Sequence, residues 1–142
     1  MADRQLCTFM VGDLHLGVDV AHVREVLREQ LTTPVPLAHR DVAGLINLRG
    51  EIVTAIDLRR RLDLPASGGD HPMNVVLATD TEAVSLVVDA IGDVVTVCDD
   101  DFEPPPDTVS PTTRQLILGA YKLDGGLLLL LDTDRALATP AA

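Results

Sequence analysis

Side chains able to do covalent or metal chemistry are few in this sequence and poorly spaced for it. Of the serines Ser67, Ser85 and Ser110, none stands in the Gly-x-Ser-x-Gly elbow that presents a hydrolase nucleophile. The histidines His15, His22, His39 and His71 are scattered, with neither a His-Glu-x-x-His spacing nor paired cysteines to hold zinc. Cys7 and Cys98 lie far apart among apolar residues, which reads as two buried free thiols and not as a disulfide framework or a redox centre. Neither glycine-rich phosphate loop occurs, and Gly68-Gly69 reads as a turn. The run Asp99, Asp100, Asp101, Glu103 lacks the central Gly and late bidentate Glu of a calcium loop, and Pro104 to Pro106 stiffen the chain directly after it, so a solvated acidic loop is expected. A hydrolase needs only two acids across a cleft. Sugar clefts usually carry aromatic platforms, however, and this chain has two Phe, one Tyr and no Trp. No catalytic residue, metal or cofactor is assigned.

The elements that would position any site read as a string of hairpins. Gln5 to Val11 and Leu14 to Val18 flank Gly12-Asp13; Leu45 to Leu48 and Glu51 to Ile56 flank Arg49-Gly50. Asn74 to Ala78 and Ala83 to Val88 flank the Asp80 turn, and Leu116 to Leu123 and Leu127 to Leu131 flank Asp124-Gly125-Gly126. With strands near Val26 to Thr32 and Val94 to Val97 the count reaches about ten, at spacings suited to small barrels or a sandwich. The class is mainly β. Five consecutive leucines, Leu127 to Leu131, fit a central strand buried on both faces. Helices are few and short. Asp19 caps a turn with Val20, Val23 and Leu27 on one face, Asp57 caps another with Leu58 and Leu62, and a third begins near Asp132 and carries Leu137. Pro65 to Pro72 and Phe102 to Thr113 read as loops, the second packing on the core through Phe102 and Val109.

At 142 residues, 46% of them hydrophobic, the chain is one domain that can bury about two-thirds of its unfolded surface. The 22 acids against 11 bases are unevenly spread: between Leu62 and Thr113 there are eleven Asp and Glu and no Lys or Arg, and the rest of the chain is balanced. That field disfavours nucleic acid and anionic membrane as direct ligands. No signal-peptide core and no apolar run of about 18 residues is present, so a soluble cytoplasmic protein is expected.

One segment carries a specific likeness. Gly44-Leu45-Ile46-Asn47-Leu48-Arg49-Gly50-Glu51-Ile52-Val53, followed by Asp57-Leu58-Arg59, closely resembles the signature of CheW-like domains, coupling modules of bacterial chemotaxis and related chemosensory systems. Supporting matches run along nearly the whole chain: Leu16-Gly17-Val18-Asp19-Val20, Val23-Arg24-Glu25-Val26, Val35-Pro36, Val87-Val88-Asp89, Leu118-Gly119 and Leu131-Asp132. Leu16 replaces a frequent Tyr, and His39 and Arg40 replace a common Pro and acid. The resemblance implies a single domain over residues 1–142, made of two packed five-stranded SH3-like β-barrels with a few short helices. It also implies a non-enzymatic adaptor that binds the cytoplasmic tip of a chemoreceptor and the regulatory domain of the histidine kinase CheA, and is recruited through them to membrane-associated arrays. A CheW-like adaptor of a non-chemotaxis pathway is the alternative, with an acid-residue hydrolase behind it.

Carried over residue by residue, the receptor-facing positions are Val23, Glu25, Gly44, Arg49 and Val94; no residue is assigned to the kinase contact. Arg49, at a tight turn, could reach a partner helix bidentately or form an internal salt bridge to Glu51 or Asp57. Gly44 could leave its backbone approachable or mark a β-bulge. Val23 could be a contact or a core residue, and Glu25 is expected to be exposed. Arg59, Arg60 and Arg61 read as a solvated helical face, or as a match for an acidic partner. The acidic segment would set which partners are repelled, an effect that salt should weaken.

Overall fold

The structure is a computed structural model that describes residues 3–28, 30–65, 72–79, 83–123 and 125–138. In chain order the strands are β1 (Asp3–Val11), β2 (Leu14–Asp19), β3 (Val23–Leu27), β4 (Val42–Leu48), β5 (Glu51–Asp57), β6 (Met73–Ala78), β7 (Ala83–Val88), β8 (Ala90–Cys98), β9 (Phe102–Glu103), β10 (Ile117–Leu123) and β11 (Gly126–Leu131). Three short helices join them, α1 (Leu58–Arg61), α2 (Pro111–Leu116) and α3 (Thr133–Leu137). The expected hairpins β1–β2, β4–β5, β6–β7 and β10–β11 all form. Residues 66–71, 80–82 and 124, which include the Asp80 turn, Ser67, Gly68-Gly69, His71 and Asp124, lie outside the described residues.

The strands sort into a six-stranded sheet, β8-β1-β2-β11-β10-β9, and a five-stranded sheet, β3-β6-β7-β5-β4. Each curls into a small barrel. In the first, a 3₁₀ turn over Asp99–Asp101 carries the chain from edge strand β8 straight into edge strand β9. In the second, the segment after β3 comes back against β4: Thr33 and Leu45 exchange both backbone hydrogen bonds at 2.8 Å.

Two-sided burial explains the continuous apolar runs. Along β11, Leu128 and Leu130 point into the first barrel with Leu6, Val97 and Tyr121, whereas Leu129 and Leu131 point the other way. Along β6, Val76 fills the second barrel with Ile46, Val53 and Ala55, while Val75 and Leu77 face outward. The outward residues of both barrels meet in the largest apolar cluster, in which Phe9, Leu16 and Val18 of one pack with Ile56, Leu86 and Val88 of the other. Fully burying each such side chain is worth roughly 1.5–3 kcal/mol. This shared layer makes one domain of two barrels.

Polar joints pin the same interface. Arg59 of α1 donates to Asp89, which follows β7, and Asp89 also accepts from the Gly12 N–H of the β1–β2 turn at 2.7 Å. Arg61 donates to the Arg135 carbonyl at 2.7 Å and to the Ala138 carbonyl, closing the end of α3, and lies 3.3 Å from the buried Asp41. Arg59 and Arg61 are therefore not a solvated face: their side chains are only 16% and 17% exposed and committed internally. Arg60 alone faces solvent.

Several local expectations are corrected. Asp19 does cap a turn, accepting from the Ala21 N–H, but the turn is a single 3₁₀ segment over Val20–His22, and Val23 and Leu27 lie on β3. That strand occupies Val23–Leu27 instead of Val26 to Thr32, because Val23 and Leu27 each register opposite β6. Six strands, not five, make the first sheet. Phe102 to Thr113 is not all loop: Phe102 and Glu103 pair with β10, and Ser110 caps α2 with Pro111 at its start, the one helical position where a missing N–H costs nothing. Cys7 is buried, but Cys98 on edge strand β8 is only partly so.

Gly44 has φ of +150° at a bulge between Val42 and Gly44, and a Cβ there would fall deep inside contact with the Thr33 carbonyl, 2.7 Å from Thr32 Cγ2. Gly44→Ala should cost about 3 kcal/mol in urea unfolding, whereas Gly50→Ala, at φ of +90° with open space around it, should cost about 1 kcal/mol. For Asp89, burial opposes its charge, but the Arg59 and Gly12 hydrogen bonds and the guanidinium charge outweigh that and hold its carboxyl below the usual range. A depressed folded-state value stabilises above the unfolded pKa near 3.9 and is lost as pH falls through the folded one. The stability difference between the native chain and Asp89→Asn should therefore be constant above about pH 5 and shrink on acidification below about pH 4.

Candidate functional site

With both faces of the central strands buried, polar side chains that could meet a partner stand at edges and turns. The β4–β5 connection has two residues, and both central residues have positive φ, 55° at Arg49 and 90° at Gly50. That is the hairpin geometry whose twist matches the flanking strands. Asn47 secures it, its Oδ1 accepting from the Gly50 N–H at 2.9 Å. Glycine or asparagine would normally occupy the first position; an arginine held there carries strain of order 1 kcal/mol. Residues kept in such conformations cluster at functional sites.

From this turn the Arg49 guanidinium crosses to edge strand β3, where its Nη2 donates to Glu25 Oε2 at 2.7 Å. The Arg49 side chain is 72% exposed and that of Glu25 only 19%. The carboxylate is thus the seated member and the guanidinium the presented one. Glu25 Oε1 is buried with no partner. Neither internal bridge anticipated for Arg49 forms. Glu51 instead accepts from Arg24 at 2.6 Å, and Asp57 caps α1 by accepting from the Arg60 N–H.

Glu25 and Arg49 are thus brought into contact, and Glu25 is less exposed than expected. Gly44 is buried under Thr32 and Thr33, so it shapes the strand leading to the turn and offers no open backbone. Val23 faces Leu77 across the β3–β6 pair and packs against the inter-barrel core. Val94 is exposed on edge strand β8 of the first barrel, opposite Cys7. Exposed Ile52 on β5 and Val26 on β3 belong to the same sheet as the ion pair, and neither was singled out from the sequence. Arg24 was missed as well, since its partner lies 27 residues away. Among the described residues, no three His, Cys, Asp or Glu are grouped to hold a metal ion, and no helix is long and apolar enough to cross a membrane.

Two barrels that share a core thus carry a preorganised charged corner where β3 meets the β4–β5 turn. A family model described as CheW-like domain matches residues 5–141, and the chain belongs to that family of chemotaxis scaffold proteins. It is 34% identical over 132 residues to the chemotaxis protein CheW of Rhizobium meliloti (strain 1021), covering 92% of this chain and 85% of that one. To the chemotaxis protein CheW of Bacillus subtilis (strain 168) it is 31% identical over 134 residues, covering 94% and 86%. Its fold matches the crystal structure of the scaffolding protein TtCheW from Thermoanaerobacter tengcongensis with a TM-score of 0.87 at 23% identity, over 99% of this chain and 97% of that one.

The Arg49 guanidinium is largely exposed, so its coupling to Glu25 should be small. A double-mutant cycle with Glu25→Gln and Arg49→Gln should give about 0.5–1 kcal/mol in chemical denaturation, decreasing in high salt.

Proposed function

We propose that this protein couples the cytoplasmic tip of a chemoreceptor to the regulatory domain of the histidine kinase CheA, has no catalytic step of its own, and reaches membrane-associated receptor arrays through those partners. Family membership supports the scaffold role. The observation that carries the receptor assignment is Arg49: a guanidinium held at positive φ, anchored on one side by Glu25 and open on the other. A planar donor fork with most of its N–H groups unspent is suited to carboxylates or carbonyls on a partner helix.

On this reading Glu25 and Arg49 form the polar centre of the receptor contact, Val23 supports it from β3, Gly44 sets the strand that bears the turn, and Val94 adds an apolar contact from the other barrel. The coupling mechanism is geometric. A rigid body binding receptor and kinase at once raises the effective concentration of each for the other and links their affinities reciprocally. The layer joining the barrels supplies that rigidity.

Arg49→Glu places a carboxylate beside Glu25 and reverses the presented charge. Titrated against a receptor cytoplasmic fragment, it should weaken binding at least tenfold while leaving affinity for the kinase regulatory domain unchanged. Unchanged receptor affinity would remove Arg49 from the site.

A further inference from the structure

Edge strand β3 carries a bulge whose consequence reaches the same corner. Its register against β6 shifts between Val23, opposite Leu77, and Glu25, opposite Val76, leaving Arg24 as the extra residue. Strict alternation would send neighbouring side chains to opposite faces, and a bulge relaxes this and re-aims one of them. Both neighbours accordingly reach the β4–β5 hairpin: Glu25 takes Arg49 at 2.7 Å, and Arg24 Nη1 donates to Glu51 Oε2 at 2.6 Å.

This second pair contributes little as a strut. Its side chains are 44% and 48% exposed, a setting in which an ion pair is worth at most about 1 kcal/mol. The barrel is already closed by the backbone exchange between Thr33 and Leu45. What the pair does fix is direction. Each guanidinium has five N–H donors, and Arg24 and Arg49 each spend one on a glutamate. The remaining donors are left for a partner. The chemistry of those donors narrows the partner's, since the two exposed forks can each take a carboxylate bidentately. In a chain of net charge −11, such open guanidinium donors are where a carboxylate finds a partner.

We propose that Arg24, aimed by the β3 bulge and held by Glu51, is a second partner-binding residue, and that Arg24 and Arg49 together receive carboxylates along the acidic edge of a partner helix. The proposal rests on the receptor reading above and names the partner's recognition chemistry. Glu51 is a positioning residue on this account, acting through Arg24.

The full chain, titrated by calorimetry with a receptor cytoplasmic fragment and followed by thermal unfolding, separates the roles. Arg24→Glu should weaken binding about fivefold. Glu51→Gln removes a negative charge facing an acidic partner yet should also weaken binding, by about twofold, because it releases Arg24. The exchanged pair, Arg24→Glu with Glu51→Arg, should recover the native unfolding temperature but not the native affinity. Native affinity in the exchanged pair would reduce Arg24 and Glu51 to a strut and overturn the proposal, as would an unchanged affinity for Arg24→Glu when Arg49→Glu loses binding. If neither reversal alters affinity, the receptor reading itself fails and this proposal falls with it.

Discussion

Burial of strands on both faces is the constraint from which the rest of this molecule follows. A half-solvated sheet can carry functional side chains on its open face, but β6, β7 and β11 have one face inside a barrel and the other in the layer between barrels. What remains for recognition is the rim: edge strands, turns and the short helices. The residues of interest lie there, on β3, at the β4–β5 turn and on β8. The same layer makes the two barrels a single body.

Arginine serves two physical purposes here. In α1, Arg59 and Arg61 are drawn into the joint between barrels, where their forks donate to Asp89, Asp41 and the Arg135 and Ala138 carbonyls. At the β3 edge, Arg24 and Arg49 meet a glutamate each and remain open to solvent. Exposure, not residue type, separates the structural cations from those available to a partner. The acidic segment between Leu62 and Thr113 runs through both barrels, so its charge acts as a field over the whole surface more than as a patch.

Much of the fold was legible because turn residues punctuate it. Gly12-Asp13, Arg49-Gly50 and Gly125-Gly126 each end an apolar run, and each marks a hairpin. Where local pattern misled, a short-range signal competed with long-range pairing. Val20, Val23 and Leu27 have helical spacing, but Val23 and Leu27 also suit a five-residue strand, and pairing with β6 decides the matter. Three consecutive arginines after Leu58 look solvated to any rule based on composition, but Arg59 and Arg61 find partners distant in the chain, at Asp89, Asp41 and the end of α3. The family-derived pair Glu25 and Arg49 could be named from the sequence, but their mutual contact could not. It spans 24 residues between two strands that are not neighbours in the sheet. Arg24 and Glu51 escaped notice for the same reason, compounded by a bulge that no residue type announces.

On the proposed function, a receptor docks on the charged corner between β3 and the β4–β5 turn. Backbone amide chemical-shift mapping during titration with a receptor cytoplasmic fragment tests it most directly. The largest shifts should fall on Arg24 to Val26 and Asn47 to Ile52, with a second set near Val94. Shifts concentrated instead on β9 and β10, around Phe102 and Leu118, with Arg49 and Gly50 unmoved, would contradict it.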